Sequence, residues 1–203
     1  MQKEAGGRAP SLLTHSLSNE VRSVLSPETL LLPNHVLGFI DRQVVTHGVY
    51  GWWFDNRLPL VPRDECIERD GKRLLYVGIA PSKGRSIKPG TPSPLKRRFQ
   101  RDHLRRVRGS TLRKSLAALL QRELGLEFRR DKGGKVGMDR CYEERLSAWI
   151  NQHAEIFITQ NYEPWRLEEE LVRQGPPLPL NIDMSDHPFK STLKDMRRTL
   201  GHN

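Results

Sequence analysis

Cysteine is scarce in this chain. Cys66 and Cys141 stand far apart, too few and too isolated for a zinc site or a disulfide framework, and they suit a reducing cytoplasm. Long apolar runs are missing as well. The longest, around Leu30 to Ile40, is broken by Pro33, Asn34 and His35, so no membrane span or membrane partner is expected. The opening residues, Met1 to Gly7, have no apolar core and do not read as a signal peptide. No internal repeat is visible. Acidic residues fall short of basic ones, 24 against 34, for a net charge of +10. With a pI of ≈ 10.0 and a mean hydropathy of -0.64, this balance favours a polyanionic partner, of which nucleic acid is the commonest. A merely solubilising charge is the bland alternative, but the excess concentrates between Lys83 and Arg130.

What is present reads as alternating short strands and helices over 203 residues, long enough for a proper core. Residues 1–33 read as an N-terminal tail or extension, in which Ser26-Pro27-Glu28 could open a helical turn. A core is expected over 34–182 and a helical extension over 183–203. Val44 to Phe54 and Arg73 to Ile79 are rich in β-branched and aromatic residues and bounded by turn formers, so both read as strands. Asn56, Pro59, Pro62 and Asp70-Gly71 lie between them as a loop closed by a hairpin-like turn. Pro81 to Pro94 reads as a loop whose Lys83, Arg85 and Lys88 could meet phosphates.

Ser93-Pro94 then opens a helix predicted over Leu95 to Arg108, with Leu95, Phe99, His103 and Val107 on one face. Ser110 or Thr111 caps a second helix, carrying a leucine stripe and stopped by Gly125. Asp139 to His153 reads as a third helix, Ala154 to Gln160 as a third strand, and Pro164 opens a fourth helix with Leu167 and Leu171 inward. Leu178 to Ile182 is expected to be extended, and Asp186 and Pro188 to open a last helix.

Each of the first two strands sets a tyrosine beside a glycine: Gly48-Val49-Tyr50 and Tyr76-Val77-Gly78. A glycine in a strand allows close approach of backbone or ligand, and the tyrosine can place a hydroxyl at that gap. Further on come Arg98, His103, Glu168 within Leu167-Glu168-Glu169-Glu170-Leu171, and Asn181 within Pro179-Leu180-Asn181. This ordered set, spread over most of the chain from Thr46 to Asn181, resembles the GIY-YIG nuclease superfamily. The one departure in spacing is His103, which lies one residue further from Arg98 than that pattern has it. The loop between the two hallmark strands is longer than in compact members and is similar to that of restriction-type members.

The resemblance implies an α+β domain: a small, three-stranded, mainly antiparallel sheet flanked by helices. It implies a metal-dependent endonuclease that cuts DNA with a water nucleophile. Glu168 would hold one Mg²⁺ or Mn²⁺, a hard cation that takes oxygen ligands and keeps several waters. Arg98 would clamp a phosphate, since guanidinium matches its oxygens in a bidentate way. Tyr50 would act as general base or position the water, Tyr76 would orient water or phosphate, and Asn181 would support the site by hydrogen bonding.

Ordinary structural roles compete with each assignment. Three consecutive glutamates usually mark a solvated helix face. Arg98 could pair with Asp102 four residues on, Tyr76 and His103 could be packed core groups, and Asn181 a turn residue. The four tryptophans read as packing, and the last helix suggests no chemistry. The basic helices between Leu95 and Arg130 would grip duplex DNA through phosphates. A catalytically silent nucleic-acid-binding module of the same fold and an RNA-directed nuclease both remain open, as does a dimer.

Overall fold

The structure is a computed structural model of the chain and describes residues 17–85 and 91–202. Most of the N-terminal tail, and Lys88 with its neighbours, lie outside the described residues. Its centre is an antiparallel sheet of β1 (Gly48–Phe54), β2 (Glu68–Arg69), β3 (Lys72–Ala80) and a last strand, Ala154–Gln160. A separate two-stranded hairpin, β4 (Arg129–Arg130) with β5 (Val136–Gly137), precedes that strand in the chain, which is therefore β6. The order in the main sheet is β2-β3-β1-β6. The expected three strands are thus four, because the Asp70-Gly71 turn carries enough chain on its near side to pair Glu68 with Arg73 and Arg69 with Lys72.

All seven residues of β1 are buried, which explains why it reads as a continuous apolar run rather than an alternating one: helices cover both faces. Tyr50, Trp52, Phe54 and Tyr76 face the larger core. That core is closed by α3 (Pro94–Arg97), α4 (Thr111–Leu124), α5 (Arg140–His153) and a C-terminal helix, Phe189–Thr199, with a short helix Val36–Gln43 at its edge. Val49, Trp53, Leu74, Val77 and Phe157 face a smaller core under the helices Asn19–Leu25 and Pro164–Gln174. In chain order these remaining helices are α1 (Asn19–Leu25), α2 (Val36–Gln43), α6 (Pro164–Gln174) and α7 (Phe189–Thr199).

Local signals set several boundaries. Ser110 Oγ accepts from the Arg113 N–H at 3.0 Å and caps α4, and Gly125, at φ 55, ends it in the left-handed region. Three expectations need correction. Ser26 closes α1 instead of opening a turn, its N–H bonded to the Arg22 carbonyl. Leu178 to Ile182 is a turn and not an extended piece: Asn181 N–H reaches back to the Leu178 carbonyl. The single helix predicted over Leu95 to Arg108 is three pieces: α3, a π-helical turn over Arg98–His103, and a 3-10 turn over Val107–Gly109. In the π-turn the Leu104 N–H bonds to the Phe99 carbonyl, five residues back.

Candidate active site

The π-turn resolves the odd spacing of Arg98 and His103. A π-helix spends one more residue per turn than an α-helix, so two side chains five positions apart return to the same face. Both reach Tyr50: the Arg98 Nε–H donates to the phenol oxygen at 3.2 Å, and the phenol lies 2.7 Å from His103 Nε2. Ser110 Oγ sits 2.8 Å from His103 Nδ1 and already accepts from the Arg113 N–H. Those contacts are all satisfied when Nδ1–H donates to Ser110 and Nε2 accepts from the Tyr50 hydroxyl. Burial, and after it the cations Arg98 and Arg113, hold His103 well below its ordinary range, so the imidazole is neutral.

The ring is fixed from behind. Arg113, 1% exposed, donates through Nη1 to the His103 carbonyl at 3.3 Å and through Nε to Glu143 at 2.9 Å. Glu143 in turn accepts from the Val107 N–H at 2.8 Å. The sequence alone does not single out Arg113; packing shows it as the strut between α4, α5 and the π-turn.

Gly78 lies opposite Tyr50 in the β1–β3 register. A Cβ built there would meet the Tyr50 hydroxyl at 2.7 Å and its Cζ at 2.8 Å. The gap above this glycine therefore houses the phenol, not a ligand. Gly48 serves differently, since a Cβ there would strike the Thr159 carbonyl of β6 at 2.1 Å.

Tyr50, Tyr76, Arg98, Glu168 and Asn181 all line one cavity of ≈ 280 Å³. His103 is not in its wall and touches it through Tyr50. Burial pushes the Tyr50 phenol up, and the Arg98 charge and hydrogen bond pull against it; burial raises Tyr76 as well. For Arg98, burial opposes the charge, but Tyr50, Tyr76 and Asp102 outweigh it and hold the guanidinium above its ordinary range. The anticipated pair with Asp102 is present too, at 3.4 Å, so Arg98 makes both contacts.

The three glutamates separate. Glu170 accepts from the Ser18 N–H at 2.7 Å and its hydroxyl at 3.0 Å. Glu169 pairs with Arg173 at 3.2 Å on the rim. Glu168 turns into the cavity, where burial and then Asp183 push its carboxyl up to about 7, against the pull of Arg98. Asp183 and Trp165 also line the cavity and were missed by the sequence reading. Asp183 lies two residues past Asn181, a proximity that could have flagged it; Trp165 gives no local signal apart from preceding Glu168 by three.

Asn181 works on β3. Its side-chain carbonyl accepts from the Val77 N–H and its amide donates to the Val77 carbonyl, both at 2.9 Å. Beyond the short pairing with β2 this edge of β3 is met by the Asn181 segment: the Leu180 N–H donates to the Leu75 carbonyl at 3.0 Å, and the amide continues the pairing at Val77 in place of a neighbouring strand. Asn181→Ala would leave both buried groups without that partner, at a cost of about 1–3 kcal/mol. A fall of about 2–4 °C in melting temperature for each kcal/mol is expected in thermal unfolding; an unchanged melting temperature would show that the amide does not hold the strand.

A family model described as the GIY-YIG catalytic domain matches residues 48–199. Neither curated proteins nor solved structures gave a match. Because the match takes in both hallmark strands, the π-turn and every helix from α3 through α7, the chain belongs to the GIY-YIG catalytic-domain family, a family of nucleases.

Proposed function

We propose that this protein is an endonuclease that hydrolyses DNA phosphodiester bonds with water, assisted by one divalent ion, Mg²⁺ or Mn²⁺. The observation that carries the reading is the meeting of Tyr50, Tyr76, Arg98 and Glu168, drawn from two strands, a π-turn and a helix, on one cavity. The donor set fits such an ion. Glu168 and Asp183 offer carboxylate oxygens to one space, and their mutual repulsion is what a cation would relieve. No group of three or more His, Cys, Asp or Glu gathers among the described residues, which suits an ion held by one or two carboxylates and its own waters. When bound, it would supply Lewis acidity to the phosphoryl and leaving oxygens.

The protein groups supply the rest. Arg98 holds a non-bridging oxygen and balances its charge. Tyr50 accepts a proton from the attacking water through its oxygen while passing its own proton to His103 Nε2, so no free phenolate is needed. Tyr76 orients the water or the phosphate. DNA as partner is supported by the +10 charge and by a second basic cleft, lined by Arg85, Arg97 and Arg101, that shares Arg98 with the cavity. No helix among the described residues is long and apolar enough to cross a membrane, and the two cysteines are free, which is compatible with a reducing cytoplasm.

The test is nicking of supercoiled plasmid by clean protein. Nicking with Mg²⁺ or Mn²⁺ and none with chelator is expected. Binding without nicking would leave the silent-module reading. Structured RNA outcompeting duplex DNA would make the enzyme RNA-directed.

Metal affinity should depend on pH in a stated direction. The free Glu168 carboxyl titrates near 7, above its ordinary value. The folded protein therefore holds the extra proton up to that pH, and this group's contribution to stability is lost as pH rises toward it. A cation must displace that proton. Mg²⁺ affinity measured by calorimetry should fall by up to about tenfold per pH unit below 7 and level off above it; a flat profile would remove Glu168 as ligand.

A further inference from the structure

The C-terminal helix, which the sequence left without chemistry, closes a further cleft. Lys114 of α4, Arg130 and Lys135 of the β4–β5 hairpin, and Lys194, Arg197 and Arg198 of α7 surround a space of ≈ 510 Å³. This cleft and the catalytic cavity share Thr111, Ile182 and Asp183, so they are contiguous. Among the described residues, the only carboxylate lining the cleft is Asp183, on that shared border.

Packing this many cations together is costly unless something else is gained. Arg130 spends its donors on carbonyls: Nε on Leu200 at 3.1 Å and Nη2 on Arg198 at 2.8 Å, which fastens the end of α7 to the hairpin. Arg198 is already paired with Asp195 at 3.0 Å. The Lys114 backbone N–H donates to the Ser110 carbonyl at 3.0 Å, but its ammonium has no hydrogen-bond or ion-pair partner among the described residues, and the Nε of Arg197 is buried with none. Burial, then Arg197 and Arg130, hold Lys114 below its ordinary range. Arg197 is likewise lowered by burial, with Asp183 and Tyr76 opposing. A half-buried cation with a buried, unpartnered donor is a destabilising feature, and local rules are broken at functional sites more than elsewhere. Guanidinium and ammonium groups converging on one space are the donor set for a phosphate.

We propose that this cleft holds a backbone phosphate flanking the scissile one, on the nucleic acid bound in the catalytic cavity, with Lys114 and Arg197 as its principal contacts. The inference rests on the nucleic-acid reading above and adds to it a second station that α7 contributes. A backbone contact of this kind positions the strand without reading its sequence.

The test is fluorescence anisotropy of a labelled DNA duplex with the full chain in chelator, over a salt series. Wild type is compared with Lys114→Gln/Arg197→Gln, with the exposed pair Lys135→Gln/Lys194→Gln, and with Arg57→Gln/Arg122→Gln, exposed residues that line neither the cleft nor the cavity, as a charge-matched control. The slope of log affinity against log salt should fall by about one in the cleft variants, equally for unrelated duplex sequences, and stay unchanged in the control. If Lys114→Gln/Arg197→Gln fails to fold, the exposed pair decides by the same measure. An unchanged slope in the folded cleft variants, or an equal fall in the control, overturns the proposal. If wild type binds and nicks DNA while the cleft variants keep its slope, only this inference falls; if wild type shows no salt-dependent binding of DNA, the function proposed above falls with it.

Discussion

Glu168→Gln should lower plasmid nicking about 10³-fold, the loss expected when several kcal/mol of transition-state charge stabilisation disappear, while DNA binding in chelator holds or improves. The amide keeps the size of the carboxylate, so α6 should pack as before: Leu167 and Leu171 on either side remain buried. The substitution removes the charge that repels Asp183, so the protein should be no less stable in thermal unfolding. Single-turnover nicking under saturating Mg²⁺ separates weakened metal binding from lost chemistry. If the variant nicks within a few-fold of wild type, Glu168 is a rim residue and the ion, if there is one, sits elsewhere. Asp183→Asn offers a contrast. It should shift the Glu168 titration downward and change Mg²⁺ affinity without a comparable loss of rate at saturation.

Arg98→Lys should cost about 10²–10³-fold in nicking rate, close to Arg98→Ala, because an ammonium cannot reproduce the fork that serves several partners. In the structure this one side chain donates to Tyr50 at 3.2 Å, to Asp102 at 3.4 Å and to the Gly109 carbonyl at 3.4 Å. In Arg98→Ala, Tyr50 would lose both the charge and the hydrogen bond that oppose the effect of its burial, so its phenol should titrate still higher in that variant, visible in the ultraviolet absorbance of a pH titration. DNA binding should weaken far less than turnover. Near-wild-type turnover of Arg98→Lys would mean that a bare positive charge suffices, and the bidentate clamp would have to be abandoned.

Much of this was legible in local pattern. The β1 and β3 strands follow from dense β-branched and aromatic residues, and the α4 boundaries from Ser110 and Gly125. The Pro164 start of α6 follows from fixed backbone geometry, and Glu168's place at the edge of a buried stripe from helical spacing. These are short-range properties, set by propensity and capping within a few residues. The break after Arg97 was not legible. A face repeating every four residues suits an α-helix, and what favours the π-turn is the pull of Tyr50 and Ser110 on both nitrogens of His103, contacts 53 and 7 residues away in sequence.

The division follows from range. Residues in sequence order establish that strands, helices and a candidate set of chemical groups exist, because hydrophobic period and capping act locally. Which of three adjacent glutamates turns inward, which arginine is a strut and which a clamp, and that α7 brings cations to the catalytic rim, are settled only when Ser18, Glu143, Asp183 and Lys114 arrive from distant parts of the chain. Side chains of one type are chemically equal in a sequence, and burial and partners make them unequal.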